Sequence, residues 1–102
     1  MIPVQGDVWW AETESYRRPV LVVTRTQAVP VLHWIVVAPI TRTIRDLPTE
    51  IKLGPEDGMR DECVASFDNL RPVYRANLTD RIGSLGPRRA EICRALAALA
   101  DC

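Results

Sequence analysis

The chain is 102 residues long, 47% hydrophobic, and carries formal net charge +0, with 13 basic and 13 acidic residues. That length fits one domain, here spanning residues 1–102, and a hydrophobic share typical of globular proteins; it excludes a second large core and a disordered chain. Zero net charge counts mildly against a protein that coats nucleic acid through a global field, and not against one with a local basic groove. Every basic residue except Lys52 is arginine, the side chain that grips phosphate with two parallel donors. Codon composition is the first explanation of that bias and phosphate chemistry the second.

In chain order, Gly6-Asp7 is a turn that opens a strand over Val8-Trp9-Trp10-Ala11. Pro19 to Thr24 and His33 to Ile40 are continuous apolar runs rich in β-branched residues, the pattern of strands buried on both faces. Pro39 lacks an N–H, so it is expected at a strand end or a bulge. Thr49 to Leu53 alternates polar and apolar, as a half-exposed strand does. Gly54 to Gly58 is a loop by composition, and the acidic pairs Glu56-Asp57 and Asp61-Glu62 are expected to be solvated. Cys63 to Phe67 is the next strand, with a turn or bulge at Asp68-Asn69, and Leu78 to Ser84 holds a last strand around Ile82. From Pro87 the pattern changes to an amphipathic helix. Ala90, Cys93, Leu96, Ala97 and Ala100 form its apolar stripe, broadened by Ile92 and Leu99. Short strands followed by one helix predict a mainly β protein with a C-terminal helix (α+β), built as a small barrel or strongly twisted sheet.

Most catalytic templates are missing. There is no phosphate-binding glycine loop and no GxSxG elbow. His33 is the only histidine and sits beside Trp34 in an apolar run, which speaks against a metal site and a two-histidine ribonuclease pair. Cys63, Cys93 and Cys102 have no metal-like spacing. Each is expected to be a small buried hydrophobe, with Cys102 accessible at the tail. With no leader-like start and no long apolar run, the expected setting is a reducing cytoplasm with free thiols and no membrane.

What remains is arginine and hydroxyl chemistry at strand ends. Arg17-Arg18 precede the Pro19 strand, and Thr41-Arg42-Thr43 follow the His33–Ile40 strand. If the two strands are antiparallel neighbours, Arg18 and Thr41 meet at one end of the sheet, a charge beside a hydroxyl suited to a phosphodiester. Pattern alone leaves the alternative of a surface arginine beside a turn threonine.

Several motifs resemble those of the MazF/PemK toxins of type II toxin–antitoxin systems. Gly6-Asp7-Val8-Trp9-Trp10 resembles the family opening, and Arg18-Pro19-Val20-Leu21-Val22-Val23-Thr24 its Arg-Pro strand. Val37-Ala38-Pro39-Ile40-Thr41 resembles the strand ending in threonine or serine; Asp68-Asn69-Leu70 and Leu78 to Gly83 resemble its later segments. The resemblance implies an SH3-like small barrel of the CcdB/PemK type, a homodimer, and an endoribonuclease that cuts single-stranded RNA without metal or cofactor. It also implies a MazE-like antitoxin whose disordered tail covers the RNA groove. By motif it implies Arg18 and Thr41 as catalytic residues, with Asp68 and Asn69 as weaker candidates for substrate contact. Arg17, Arg25, Arg42, Arg45 and Arg71 are then candidates to line an RNA groove, with Trp9, Trp10 or Tyr74 as stacking surfaces. The alternative for the tryptophans is core or dimer interface. The segment from Glu12 to Arg17 is shorter than in many members, so base specificity does not carry over. The chemistry expected is attack of a ribose 2′-OH on the adjacent phosphorus, with Arg18 stabilising charge and Thr41 orienting. Two rival readings share the architecture: a CcdB-like toxin that poisons gyrase by protein contact, and a non-catalytic SH3-like binding module.

Overall fold

The computed structural model describes residues 1–100; Cys102 and the expectation attached to it lie outside them. Among the described residues the chain forms seven strands and one α-helix. The strands are β1 (Asp7–Glu12), β2 (Arg17–Val22), β3 (Trp34–Thr41), β4 (Glu50–Leu53), β5 (Cys63–Ser66), β6 (Arg71–Tyr74) and β7 (Leu78–Ser84), and α1 is Glu91–Leu99. They make one antiparallel sheet in the order β4-β5-β3-β2-β1-β7, with β6 also paired to β3. Register irregularities where β1 meets β7 bend those strands. The result is a mainly β, curled half-barrel with a C-terminal helix, as the sequence predicted.

The long strand β3 organises the sheet. Along one edge Val37 to Pro39 pair with β2; along the other, Trp34 to Val37 pair with β6 and Ile40-Thr41 with β5. Pro39 therefore lies inside a strand and not at its end. It is tolerated because Ala38 and Pro39 fall where the 3-10 turn Phe67–Asn69 interrupts the β5–β6 edge, so no ladder donor is needed there.

Alternation along the strands gives the sheet two packed faces. One carries Val8, Leu21, Ala38, Ile40, Ile51, Leu53 and Ala65 and is closed by Phe67, Leu85 and the α1 residues Ile92 and Ala95. The other carries Trp9, Val20, Val22, Ile35, Val37 and Val73 and is closed by Val29 and Leu78. Fully buried side chains such as Leu21, Ile51 and Phe67 each contribute about 1.5–3 kcal/mol of burial energy.

The Gly6-Asp7 turn is a junction of three strands. Gly6 adopts φ +90, donates its N–H to the Val22 carbonyl and accepts from Leu85 N–H. The buried Asp7 carboxylate accepts from Val4 N–H and Trp9 Nε1 and pairs with Arg81.

Three further expectations are corrected. Asp57 is not solvated: it is 3% exposed, caps Gly54 N–H, and is gripped by both-oxygen hydrogen bonds from Arg88. The buried face of α1 is Ile92 and Ala95 with half-buried Leu96, while Ala90, Cys93, Ala97 and Ala100 are exposed. The larger apolar residues Ile92 and Leu96, one turn apart with Ala95 between them, turn to the sheet, whereas the stripe read from the sequence consists mostly of small side chains. Cys93 is consequently an exposed thiol; only Cys63, of the cysteines described, is the buried hydrophobe expected. The strand β6 has no counterpart in the sequence reading, because Arg71-Pro72-Val73-Tyr74 is short, polar and interrupted by proline.

Candidate functional site

The β2–β3 register brings the two strand ends together. Val20 stands opposite Pro39 and Leu21 opposite Ala38. Two steps further, the same register sets Arg18 beside Thr41, on the face that also carries Val20 and Pro39. A cleft of about 310 Å³ opens there, lined by Arg18, Pro39, Thr41, Thr43, Arg45, Glu50, Ser66, Asn69 and Arg71.

Each wall has a local cause. Thr41 ends β3, and its Oγ1 accepts the N–H of Thr43, two residues on, a hydroxyl turn that fixes the side chain while leaving its proton free to donate. Asn69 closes the 3-10 turn after β5 and donates from Nδ2 to Ser66 Oγ, which leaves its carbonyl oxygen open. Arg71 starts β6, beyond that turn. Glu50 starts β4 opposite Ser66, and its buried carboxylate accepts the N–H groups of Arg45 and Leu47.

Three of the arginines that form no ion pair among the described residues line this cleft; Arg25, Arg60, Arg75 and Arg89 are also unpaired but lie outside it. Arg17 is paired with Glu12, Arg42 with Asp61, Arg81 with Asp7, and Arg88 and Arg94 with Glu91. Among the described residues, the cleft arginines Arg18, Arg45 and Arg71 have no carboxylate within 4 Å. The concavity thus holds three guanidinium groups, none of them ion-paired, against the one carboxylate of Glu50. A guanidinium stays charged at any working pH and offers paired donors to a phosphate.

The other candidates from the sequence lie elsewhere. Arg17 stacks over the half-buried Trp10, 3.9 Å from the ring centroid. Trp10, Arg42 and Thr41 line a second, more apolar cavity of about 420 Å³ with Pro19, Ile40 and Met59. Arg25 sits in the turn at the far end of β2, where its carbonyl accepts from Ala28 and Val29. Asp68 is exposed next to the cleft, and its Oδ2 accepts the Thr49 hydroxyl. Trp9 is core. Trp34 and Tyr74 form an exposed edge-to-face pair, and His33 stacks on Tyr74. Thr43, Glu50 and Ser66 were missed by sequence reasoning; only the position of Thr43 after Thr41 signalled its place.

The model of the family described as "PemK-like, MazF-like toxin of type II toxin-antitoxin system" matches residues 4–100. The chain is 40% identical over 104 residues to the probable endoribonuclease MazF5 of Mycobacterium tuberculosis, covering 99% of this chain and 95% of that protein. Among solved structures it is similar to the Mycobacterium tuberculosis toxin MazF-mt6, with TM-score 0.84, 31% identity, and 93% and 96% of the two chains covered. It is also similar to an endoribonuclease from a mycobacterial species in complex with its cognate antitoxin, with TM-score 0.83, 26% identity, and 97% and 95% covered.

Proposed function

The chain belongs to the PemK-like, MazF-like toxins of type II toxin–antitoxin systems, and from that membership we propose that it is an endoribonuclease that cuts single-stranded RNA in the Arg18–Thr41 cleft, without metal. The β2–β3 register carries the reading, because it joins a charged donor and a hydroxyl that are 23 positions apart in the chain (41 minus 18).

In the proposed reaction the ribose 2′-OH gives up its proton to solvent as its oxygen attacks the adjacent phosphorus, the bond from phosphorus to the 5′-oxygen breaks, and the 5′-oxygen takes a proton from solvent. The products are a 2′,3′-cyclic phosphate and a 5′-OH end. Charge gathers on the non-bridging oxygens, and Arg18 stabilises it with two N–H donors, a contribution of about 3 kcal/mol, or about 10² in rate. Thr41, held by the Thr43 N–H, orients a phosphate oxygen with its hydroxyl proton. Arg45 and Arg71 hold the flanking phosphates, and Asn69 offers its carbonyl to a base or ribose. Asp68, Arg17, Arg25, Arg42 and Trp10 stand outside the cleft and contribute to RNA binding only where the strand runs on beyond it.

Residues 1–102 act as one toxin domain in the cytoplasm, neutralised by a small MazE-like antitoxin whose disordered tail covers the cleft. The relative solved with its cognate antitoxin supports that partner. The chain pairs with a second copy of itself. The exposed apolar group Val31, Leu32, Trp34, Val36 and Tyr74 supports an association surface.

An RNA carrying a single 2′-deoxyribose at the cut position tests the chemistry. It resists cleavage while the all-ribose control yields a cyclic-phosphate fragment by mass spectrometry; equal cleavage of both refutes 2′-OH attack. Arg18→Ala folds and no longer cleaves, and an active Arg18→Ala protein removes Arg18 from the site.

A further inference from the structure

Glu50 is set apart from the other buried carboxylates of the chain. Asp7 and Asp57 each hold an arginine, Arg81 and Arg88. Glu50 is 7% exposed, yet among the described residues no basic nitrogen lies within 4 Å of its carboxylate. Burying an ionised group costs free energy unless hydrogen bonds replace its water, and here backbone donors replace it. Oε1 accepts the N–H of Arg45 at 3.1 Å and that of Leu47 at 3.3 Å. Between those two residues Asp46 takes φ +55, a left-handed backbone uncommon outside glycine, asparagine and aspartate. The segment between β3 and β4 is therefore wrapped around the carboxylate. The helix α1 holds the same segment from outside: Arg94, oriented by Glu91, donates to the carbonyls of Pro48 and Glu50.

The sheet register says why this matters for the cleft. Glu50 stands opposite Ser66 on β5, and the β3–β5 register carried one step sets Ser66 opposite Pro39. Glu50 thus shares a cross-strand row with Pro39 and Ser66, next to the row of Arg18 and Thr41, with its side chain on the same face. The segment it folds carries Thr43 and Arg45, both of which line the cleft.

We propose that Glu50 is a positioning residue of the cleavage site: its buried carboxylate folds the 42–49 segment so that Arg45 and Thr43 face the phosphate opposite Arg18 and Thr41. The proposal rests on the ribonuclease reading above. Its negative charge also tempers the field of the three cleft arginines, so charge and hydrogen bonding at Glu50 act on RNA binding in opposite directions.

Steady-state cleavage of a short fluorogenic RNA by the full chain tests it, once the wild type cuts and Arg18→Ala does not; an inactive wild type would count against the ribonuclease reading instead. Glu50→Ala raises KM about tenfold, the size expected for lost hydrogen bonds to a charged group, and leaves kcat within about threefold. Glu50→Gln keeps a carbonyl acceptor for both N–H groups and removes the charge, so its KM falls to or below the wild-type value. The double variant Glu50→Ala with Arg45→Ala falls well short of the product of the two single effects, since much of the Glu50 effect passes through the Arg45 guanidinium and only the part through Thr43 remains. Arg94→Ala, an exposed change that frees the same segment, raises KM while the protein stays folded at the assay temperature, and it serves as the test if Glu50→Ala fails to fold. Multiplying effects in the double variant, or an unchanged KM in Arg94→Ala, overturn the proposal. So does a loss of kcat in Glu50→Gln equal to that in Glu50→Ala at constant KM, which would make Glu50 a proton acceptor.

Discussion

On the proposed reading, the three arginines of the cleft that form no ion pair set the salt dependence of RNA binding. Each phosphate neutralised on a single strand contributes about −0.7 to the slope of log affinity against log salt, so contacts by Arg18, Arg45 and Arg71 give a slope of about −2.1. Between 50 and 200 mM salt, affinity then falls by about 18-fold. Arg71→Ala removes one contact, reducing the slope to about −1.4 and the loss to about sevenfold. Arg71 is exposed at the start of β6, so its removal leaves the fold intact. Arg17 and Arg42 are the internal controls, because each already holds a carboxylate, Glu12 and Asp61. Removing either frees an acidic side chain as it removes a basic one, and the slope stays near the wild-type value. Fluorescence anisotropy measures this, using a short oligonucleotide with 2′-deoxyribose at the cut position and titrations across KCl. The oligonucleotide must be short enough to occupy one cleft, since a strand bridging two copies would double the slope. A wild-type slope near zero, or equal drops for Arg71→Ala and Arg17→Ala, would refute the assignment of phosphate contacts to the unpaired arginines.

Arg88→Ala leaves the Asp57 carboxylate buried without its cation and destabilises the protein by about 3 kcal/mol, read as a lower urea midpoint at constant slope. Hydrogen bonds from Arg88, with its charge and that of Arg94, hold the Glu91 carboxyl below its ordinary range against the opposing effect of burial. A lowered folded pKa stabilises above the unfolded value, about 4.3, and that stability disappears as pH falls through the folded one. Glu91→Gln therefore flattens the acid limb of melting temperature against pH, and an unchanged limb would exclude Glu91 as its source. Gly83→Ala places a Cβ 1.9 Å from the Asp57 carbonyl oxygen. It costs about 3 kcal/mol or more, so a melting temperature equal to wild type would show that β7 does not press on that turn.

The relation between sequence and structure differs from element to element. Strands β1, β2 and β3 were legible because apolar, β-branched runs have few other conformations open to them. The strand β6 was not, because Arg71-Pro72-Val73-Tyr74 has no alternating pattern and becomes a strand only by pairing with β3. Which side of α1 is buried was legible but misread: Ile92 and Leu96 stand one turn apart with Ala95 between them, and they bury more than the small side chains of the stripe through Cys93 and Ala97. Asp57 looked like a solvated loop residue; only Arg88, 31 positions away, explains its burial.

For the cleft, the residue types and strand-end positions of Arg18 and Thr41 were fixed by sequence, and so was their meeting once β2 and β3 are neighbours. Arg45, Asn69 and Arg71 were candidates among many basic and polar residues. Tertiary structure gathers them around one concavity, and ion pairing, a property of neighbours in space, further separates Arg71 from Arg17 and Arg42, which sequence treats alike. Glu50 was invisible for the same reason. Its role depends on backbone N–H groups that a sequence does not display, and on a cross-strand row that exists only when β2, β3, β5 and β4 lie side by side.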